Sequence, residues 1–303
     1  MKVLVPHPDA IDQMGGVPAG VELLVWPGSG PLPPGSEDVE FYVPPFLGTG
    51  DAVAAMVRLP KLRVVQLLTA GAEALLGSVP PGVTLCRGGG VHDPSTAEWV
   101  VTVILAALRD IPRFVRAQDE GRWDYAPTDV LAGKTVLIVG AGSIGAAVER
   151  RLAGFEVQVR RAARRAREGV TAIADVPDLL PEVDVIVVLV PLTAGTRGLV
   201  DAAFLRRMRD GALLVNGARG AVVDTEALVV ELSTGRLRAA LDVTDPEPLP
   251  PGHPLWSAPG LLVTPHVAGS TPLTVPRAYA LVRRQLERYQ AGEPLDYIIT
   301  GEY

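Results

Sequence analysis

Residues 135–145 read TVLIVGAGSIG, an apolar stretch that runs directly into glycines at Gly140, Gly142 and Gly145. Residues 146–153 have a helical composition, so the glycines lie in a predicted strand-turn-helix unit. In such a unit Gly140 permits the tight turn, Gly142 lets the backbone approach a pyrophosphate, and Gly145 lets the helix pack on the strand. The helix N-terminus also presents amides to the anion. This stretch predicts a dinucleotide-binding α/β domain.

Short apolar runs separated by turns extend in both directions from this stretch. Strands alternating with helices indicate parallel sheets covered by helices. The predicted strands are residues 2–5, 21–26, 39–43, 62–68 and 83–86 in a first series, and 135–139, 156–159, 183–190, 211–215, 238–243 and 261–264 in a second. Long helices are predicted over 95–117 and 273–291. We therefore expect a small doubly wound domain formed by residues 1–92 and 273–303, and a dinucleotide-binding domain formed by 93–272.

The composition excludes several classes of protein. The chain has 303 residues, with 28 Lys and Arg against 34 Asp and Glu, and its net charge of -6 does not favour a nucleic-acid partner. Its longest apolar stretches, 99–108 and 185–192, are shorter than the roughly 20 residues that span a bilayer. The single cysteine, Cys86, is expected to be a small buried residue, and no Cys/His cluster has the spacing of a metal site. We expect a globular cytoplasmic protein without a metal.

The residues after the second strand of this domain bear on the choice of cofactor. An acidic residue about 20 positions after the first glycine binds the adenosine ribose of NAD(H). Here that position is Arg160, followed by Arg161 and Arg164. Guanidinium groups pair with a 2'-phosphate, so this segment predicts NADP(H), with NAD(H) as the alternative cofactor. A solvated arginine-rich surface is the other interpretation.

Three ionisable residues follow later strands of the same series. Arg219 comes after the strand at 211–215, and Glu247 and His266 come after the two strands beyond it. Ligands of open parallel sheets bind at the carboxyl ends of the strands, so these side chains are expected to face one crevice. An arginine grips a carboxylate by two bonds, a histidine exchanges a proton near neutral pH, and a glutamate orients the imidazole. Taken singly, each is equally well explained as a surface charge.

These motifs, in this order along nearly the whole chain, resemble the D-isomer-specific 2-hydroxyacid dehydrogenases. The resemblance implies a Rossmann doubly wound cofactor domain and a smaller, discontinuous, flavodoxin-like α/β substrate domain, assembled as a homodimer. It is carried by Trp123, Gly133 with Lys134, the glycine loop, Pro191 to Thr193 with Thr196, and the segments 216–220, 242–243, 247–249, 253–256 and 264–266.

The resemblance also implies roles for individual residues. Arg219, Glu247 and His266 are the expected catalytic residues, and Asp242 the contact of the nicotinamide carboxamide. The loop containing Ala70 and Gly71 is expected to bind the substrate carboxylate together with Arg219 and His266. Further cofactor contacts are expected at Gly140, Gly142, Ser143, Ile144, Gly145, Pro191, Thr196, Ala218, His266 and Gly269.

The expected activity is reduction of a small 2-keto acid to the D-2-hydroxy acid by NADPH. Walls for the substrate side chain are expected from residues 42–47 and 67–71 and from Trp256. These segments are mostly apolar, which favours glyoxylate, hydroxypyruvate or a larger apolar keto acid over a phosphorylated one. Two alternatives stay open: a nucleotide-sensing binding protein like the C-terminal-binding-protein corepressors, and an oxidoreductase of the same architecture acting on phosphite or formate.

Overall fold

The computed structural model describes residues 1–46 and 50–301, and the chain divides into two compact units. Unit 1 consists of Met1–His92 and Thr271–Tyr303, and unit 2 consists of Asp93–Ser270. The second boundary lies between 270 and 271, whereas the sequence placed it between 272 and 273. Residues 271 and 272 precede the C-terminal helix, and Thr271 donates its amide to Oγ1 of Thr274 at 3.1 Å, which ties it to that helix.

Unit 1 is built on a parallel sheet. In the described residues its strands lie in the order β2-β1-β3-β4-β5, with parallel pairing throughout. This is the order of flavodoxin-like doubly wound sheets. The elements of unit 1 are β1 Lys2–Val5, α1 Ala10–Gln13, β2 Glu22–Val25, β3 Val39–Tyr42, α2 Gly50–Met56, β4 Val64–Gln66, β5 Thr84–Cys86 and α8 Thr274–Gln290.

A buried amide pair joins the C-terminal helix to the sheet of unit 1. Gln285 of α8 donates to Oε1 of Gln66 at 2.9 Å and to the carbonyl of Asp296 at 2.8 Å, and both glutamines are 0% exposed. The bridge between Cys86 and Ile298 adds the tail to the edge strand β5. Because buried amides without partners are strongly destabilising, these bonds specify where the tail packs.

Cys86 itself is fully buried in unit 1. Burial in apolar surroundings raises the pKa of its thiol to about 12, with a smaller contribution from Asp296. The thiol is therefore protonated at neutral pH and acts as a small apolar side chain.

Unit 2 contains a longer parallel sheet, with the described strands in the order β12-β11-β10-β9-β6-β7-β8. Every neighbouring pair is parallel. The predicted doubly wound α/β fold with a Rossmann cofactor domain is confirmed. The elements of unit 2 are α3 Asp93–Leu108, α4 Ile111–Asp119, β6 Thr135–Val139, α5 Ser143–Leu152, β7 Gln158–Ala163, β8 Thr171–Ala172, β9 Val185–Val188, α6 Ala202–Arg207, β10 Leu213–Asn216, α7 Thr225–Ser233, β11 Arg238–Leu241 and β12 Leu261–Val263.

The centre of this sheet is buried on both faces. All four residues of β9 and all four of β10 are buried, and two apolar clusters cover the two faces. A parallel strand covered by helices on both sides has no solvent face, which is why these strands are continuously apolar in sequence. The central strands therefore form a rigid support for the loops at their ends.

The helix predicted over 95–117 is wrong as a single element. The structure has two helices, because α3 ends at Leu108 and α4 begins at Ile111. Asp110 adopts a left-handed φ of 50°, and Pro112 lies in the first turn of α4. In a continuous helix over 95–117, Pro112 would have no amide to bond to the carbonyl of Leu108, and its ring would clash with that carbonyl.

The helices of residues 1–46 and 50–301 include none with the length and hydropathy of a membrane span.

The second strand of unit 2 lies later in the chain than the predicted 156–159. Glu156 has a left-handed φ of 57° and belongs to the preceding turn, and β7 covers Gln158–Ala163. The prediction failed because the arginines of this strand lack the apolar pattern of a buried strand. The very short strand β8 was not predicted.

Candidate active site

The loops that follow five strands of unit 2 meet at the carboxyl edge of its sheet. Strand β6 lies between β7 and β9, so the chain reverses its direction of winding there. In doubly wound sheets this switch point is where ligands bind. The loops that begin at this edge are residues 140–142, 189–199, 217–220, 242–249 and 264–269.

The three glycines of the loop after β6 have different environments. Gly140 has a φ of 125°, and an added Cβ would lie 2.6 Å from the backbone of Leu189. A Cβ on Gly145 would overlap the carbonyl of Gly140. A Cβ on Gly142, in contrast, meets nothing within 4 Å among the described residues. Close packing therefore explains why residues 140 and 145 are glycines. Gly142 instead leaves open space, where a pyrophosphate would approach the backbone.

Helix α5 begins directly after this loop, at Ser143. The first amides of a helix have no intrahelical acceptor, and in the described chain no side chain caps this end. Oγ of Ser143 donates to Asp93 at 3.0 Å and so points away from those amides. Ser143, Ile144 and Gly145 therefore present the N-terminus of α5 at the open side of the loop, an arrangement that fits the phosphates of a dinucleotide.

Arg160 and Arg161 do not lie at the end of a strand, and their predicted placement is corrected. Both lie inside β7, where Arg160 pairs with Glu182 at 3.0 Å and Arg161 with Glu149 at 3.3 Å. Counting about 20 residues from the first glycine assumed a shorter connection than this chain has, since Val139 of β6 pairs with Ala162.

The carboxyl end of β7 carries a different group of arginines. The strand ends at Ala163, and Arg164, Arg165 and Arg167 follow it in an exposed turn together with Glu168. Nη2 of Arg167 donates to the carbonyl of Ala141 in the glycine loop at 3.0 Å. Three guanidinium groups and one carboxylate thus lie beside the position where a cofactor ribose would be held.

The loop after β10 carries Arg219 and is held by Asn216. Nδ2 of Asn216 donates to the carbonyl of Arg219 at 3.0 Å, and its Oδ1 accepts the amide of Ala218 at 3.0 Å. Nη1 of Arg219 donates to the carbonyl of Ala218 at 2.7 Å. A Cβ on Gly220 would overlap the carbonyl of Thr244, so this loop packs on the loop after β11. The partly buried guanidinium of Arg219 is therefore carried by a tightly fixed backbone.

Asp242 organises the loop after β12. Its carboxylate is 3% exposed. Oδ1 accepts the hydroxyl of Thr264 at 2.6 Å and the amide of Val267 at 2.9 Å, and Oδ2 accepts the amide of Ala268 at 2.9 Å. A carboxylate has about four acceptor positions, so one on Oδ2 is left for a further donor. The predicted contact with a carboxamide fits that position, and the structure adds a role in holding the loop.

His266 is held in an uncommon backbone conformation by this loop. Its φ of 56° lies in the left-handed region, which destabilises a residue other than glycine by roughly 1–3 kcal/mol. Its amide donates to the carbonyls of Asp242 at 2.8 Å and Thr264 at 3.0 Å. These backbone bonds hold the strained conformation and fix the Cα position from which the imidazole extends.

The structure brings His266 and Glu247 together. Nδ1 of His266 lies 2.6 Å from Oε1 of Glu247, and the two side chains are 47% and 40% exposed. An ionised carboxylate only accepts hydrogen bonds, so Nδ1 carries a proton and Nε2 is the ring atom left for a ligand.

Three other predicted contacts lie in loops at the same edge. Oγ1 of Thr196 accepts the amide of Thr193 at 2.8 Å and donates within the loop to the carbonyl of Pro191, which fixes the segment after β9. Gly269 lies in the turn that follows Ala268.

No three His, Cys, Asp or Glu side chains of the described residues are grouped so as to hold a metal ion.

The loop proposed to bind the substrate carboxylate belongs to unit 1. Oγ1 of Thr69 donates to the carbonyl of Gly71 at 2.7 Å, and the carbonyl of Thr69 accepts the amide of Gly88 at 2.6 Å. Ala70 and Gly71 are thereby held in a compact turn after β4. Of the expected pocket walls, Tyr42 is 0% exposed and packs in the core, which corrects its assignment, and Leu47 lies outside the described residues.

Several residues at this edge were not singled out by the sequence. Arg165 and Arg167 belong to the exposed turn after β7, and Asn216, Thr264 and Trp99 support the loops of Arg219 and His266. The repeated arginines of 160–167 are evident in the sequence, but only the pairing of β7 with β6 decides which of them follow β7. The partners of Asn216 lie within three positions of it, but no sequence pattern assigned it a role of its own. Trp99 had no sequence signal, because its partner Thr264 is 165 positions away.

The sheet order, the glycine loop and the residues at the carboxyl edge define a dinucleotide-dependent dehydrogenase of the Rossmann class. Residues 101–268, more than half of the chain, match the NAD binding domain of the D-isomer specific 2-hydroxyacid dehydrogenases. The chain is also 35% identical over 260 residues to the glyoxylate reductase of Thermofilum pendens, covering 80% of this chain and 76% of the relative. The chain therefore belongs to the D-isomer-specific 2-hydroxyacid dehydrogenase family, as its motifs indicated.

Solved structures agree with this membership over the full chain. A D-isomer specific 2-hydroxyacid dehydrogenase from Xanthobacter autotrophicus Py2, in complex with NADPH and MES, has a TM-score of 0.84 at 33% identity and covers 99% of this chain and 97% of that one. An NADPH-dependent glyoxylate/hydroxypyruvate reductase from Sinorhizobium meliloti, in complex with NADP and sulfate, has a TM-score of 0.81 at 28% identity, with 98% and 97% covered.

Proposed function

We propose that this dehydrogenase reduces a small 2-keto acid to the D-2-hydroxy acid and prefers NADPH. The observation that carries the proposal is the hydrogen bond between His266 and Glu247 at the sheet edge that also holds the glycine loop and Arg219. A proton donor, a carboxylate-binding cation and a dinucleotide cradle are the parts that reduction of a keto acid requires.

His266 is the proposed proton donor. With Nδ1–H donating to Glu247, the imidazolium carries its second proton on Nε2, which is transferred to the carbonyl oxygen as the alcohol forms. The hydrogen bond to Glu247 keeps the ring oriented with Nε2 available to the substrate. The backbone of His266 supports the same orientation, because it fixes the Cα–Cβ bond from which the ring extends.

Arg219 is the proposed anchor of the substrate carboxylate. A guanidinium forms two parallel hydrogen bonds with a carboxylate, which fixes the plane of the adjacent carbonyl. One of its nitrogens is already held by the carbonyl of Ala218 at 2.7 Å, so the group is oriented before substrate arrives.

The residues present fit a nicotinamide dinucleotide. When bound, the cofactor supplies the hydride that reduces the carbonyl carbon. Gly142 and the N-terminus of α5 would hold its pyrophosphate, and Arg164 and Arg165 its 2'-phosphate. The free acceptor position on Oδ2 of Asp242 suits a carboxamide, and Pro191, Thr196, Ala218 and Gly269 line the same edge.

The proposed substrate class rests on two supports. The Thermofilum relative is a glyoxylate reductase, and the Sinorhizobium structure is an NADPH-dependent glyoxylate/hydroxypyruvate reductase. The partly exposed part of the expected wall, Pro45 with Phe46, is apolar and carries no charge for a phosphorylated substrate.

Initial rates with a panel of keto acids test the proposal. Glyoxylate, hydroxypyruvate, pyruvate and phenylpyruvate would each be mixed with NADPH or NADH, and oxidation of the cofactor followed by absorbance. We expect turnover with at least one of them and higher kcat/KM with NADPH. Phosphite and formate with NADP or NAD form the second arm. Cofactor binding without turnover in either arm would support a nucleotide-sensing protein instead.

A homodimer formed through unit 2 is the proposed assembly. Residues 122–130 form no helix or strand, and Trp123 and Tyr125 on this segment are 97% and 85% exposed. A bidentate pair between Arg113 and Asp124, with both bonds at 2.8 Å, holds the segment beside α4.

Arg113 also borders a cavity of about 470 Å³. The other residues that line it include Pro112, Arg116, Trp256, Pro259 and Leu262. Exposed aromatic rings can pack over arginine side chains such as those lining this cavity, and a two-fold axis would form that contact twice.

We expect the double variant Trp123→Ala, Tyr125→Ala to weaken the dimer at least a hundredfold, because aromatic anchors contribute most of the binding energy of such interfaces. Sedimentation across a range of concentrations measures the change. Val57→Ala, at a 76% exposed apolar residue of unit 1, is the matched control and is expected to sediment as the wild type does. An unchanged dimer in the double variant would place the interface elsewhere.

A further inference from the structure

Trp99 is a partly buried residue of α3 whose indole touches the loops after two different strands. Its Nε1 donates a hydrogen bond of 3.0 Å to Oγ1 of Thr264, which precedes His266 by two residues. The six-membered part of the ring lies against Gly217, where an added Cβ would be 3.3 Å from Cζ3. Gly217 precedes Arg219 by two residues. One side chain therefore supports the segments that lead to both proposed ligand-binding groups.

The hydroxyl of Thr264 extends the first contact to Asp242. Oγ1 accepts from Trp99 and donates to Oδ1 of Asp242 at 2.6 Å. The carboxylate of Asp242 then accepts the amides of the two residues that follow His266. Because Asp242 is nearly inaccessible to water, removing one member of this chain leaves a buried polar group without its full set of bonds.

The left-handed backbone of His266 makes its position sensitive to this support. A residue in that region persists only where the surrounding structure holds it. The amide of His266 is held by the backbone carbonyls of Thr264 and Asp242. Trp99 in turn orients the side-chain hydroxyl of Thr264. Loss of the indole N–H removes one of the two hydrogen bonds of that hydroxyl and leaves it held by Asp242 alone, which weakens the support of the loop.

We propose that Trp99 is a positioning residue that aligns His266 through Thr264 and Arg219 through Gly217. The proposal rests on the proposed function, since it assigns a consequence for keto acid reduction. The hydrogen bond from Nε1 to Thr264 is a contact that an apolar side chain at this position could not make, so apolar packing alone does not account for it. The N–H group is therefore the feature to test.

The variant Trp99→Phe keeps an aromatic ring and removes the N–H donor. We expect kcat for the best keto acid to fall about tenfold, because a displacement well under 1 Å of a proton donor already slows transfer. The dissociation constant of NADPH, measured by fluorescence titration, is expected to change less than twofold, since the glycine loop is not touched. A variant with wild-type kcat would overturn the proposal.

Trp26→Phe is the matched control. Trp26 lies in unit 1 and is 3% exposed, and among the described residues Nε1 of Trp26 has no hydrogen-bond partner. The same change of side chain therefore removes a buried indole without removing a bond. We expect its kcat to stay within twofold of wild type. An equal loss of kcat in both variants would show a general effect of losing an indole and would overturn the proposal.

A double-mutant cycle with Thr264→Val tests the route through the hydroxyl. Valine keeps the shape of threonine and removes the hydroxyl, so we expect a kcat loss of about tenfold or more. If Trp99 acts through this hydroxyl, adding Trp99→Phe to Thr264→Val changes kcat by less than twofold. Multiplying losses would mean that the two residues act independently and would overturn the route.

Gly217→Ala tests the second contact. The added Cβ at 3.3 Å forces the indole or the loop to shift. We expect KM for the keto acid to rise about threefold to tenfold through the displaced Arg219, with a smaller change in kcat. An unchanged KM would overturn the link to Arg219.

Failure of this inference differs from failure of the proposed function. If the wild type reduces no keto acid, the proposed function is wrong and no variant has a rate to compare. If the wild type is active and Trp99→Phe equals it, only the positioning role is wrong. Thermal unfolding of each variant shows that the folded protein is being compared.

Discussion

Replacement of His266 by asparagine is expected to lower kcat for keto acid reduction by about 10²–10⁴-fold, the contribution of a general acid. Asparagine removes the titratable imidazole and tolerates a left-handed φ such as the 56° of His266, so the loop keeps its conformation. The measurement is kcat at saturating keto acid and NADPH. Retention of more than a third of the wild-type kcat would rule out proton transfer by His266.

The controls for this variant separate chemistry from binding and folding. NADPH affinity is expected to stay within a few fold of wild type, because the glycine loop and the turn after β7 are unchanged. The melting temperature is expected to move little, since His266 and Glu247 are 47% and 40% exposed and exposed ion pairs stabilise weakly. Glu247→Gln, which keeps the hydrogen bond without the charge, is expected to lower kcat less than His266→Asn does.

Replacement of Arg164 and Arg165 together by glutamine is expected to raise the dissociation constant of NADPH about tenfold to a hundredfold, because charge-assisted bonds to the 2'-phosphate are lost. NADH, which lacks that phosphate, is expected to bind the variant as well as the wild type. The kcat with NADPH is expected to stay nearly constant, since the adenosine end is remote from hydride transfer. Fluorescence titration with both cofactors measures the change.

The double variant Arg160→Gln, Arg161→Gln is the matched control for the cofactor prediction. It removes the same charge from the same strand region, at residues that pair with Glu182 and Glu149. We expect its NADPH affinity to stay within threefold of wild type at moderate salt. If this pair, and not Arg164 with Arg165, controlled NADPH binding, the assignment from the strand end would be wrong. Equal use of both cofactors by the wild type would mean that no arginine of this segment selects NADPH.

The candidate site was largely predictable because parallel sheets place the ends of their strands at one edge. Arg219, Glu247 and His266 each follow an apolar run, and that regularity sufficed to expect them in one crevice. The distance of 2.6 Å between His266 and Glu247 was not predictable, since it depends on how two loops of different length fold back. The same holds for the burial of Asp242.

The cofactor arginines show where counting along the chain fails. Spacing from Gly140 pointed to Arg160, but pairing of Val139 with Ala162 places the strand end at Ala163. The length of the connection between β6 and β7 is set by how α5 packs, which no local pattern encodes. The break between α3 and α4, in contrast, had a local cause in Pro112 that was present in the sequence.

Local sequence patterns were enough to predict the glycine loop, the α/β fold and the residues that follow the strands of unit 2. These features depend on neighbours within a few positions: glycines that permit a turn, apolar runs that form strands, and polar residues at their ends. The register of β7, the pairing of His266 with Glu247, and the contact of Trp99 with Thr264 across 165 positions became known only from the folded chain. Such contacts arise from packing between segments distant in the chain, so their geometry exists only once the sheet and its loops have folded together.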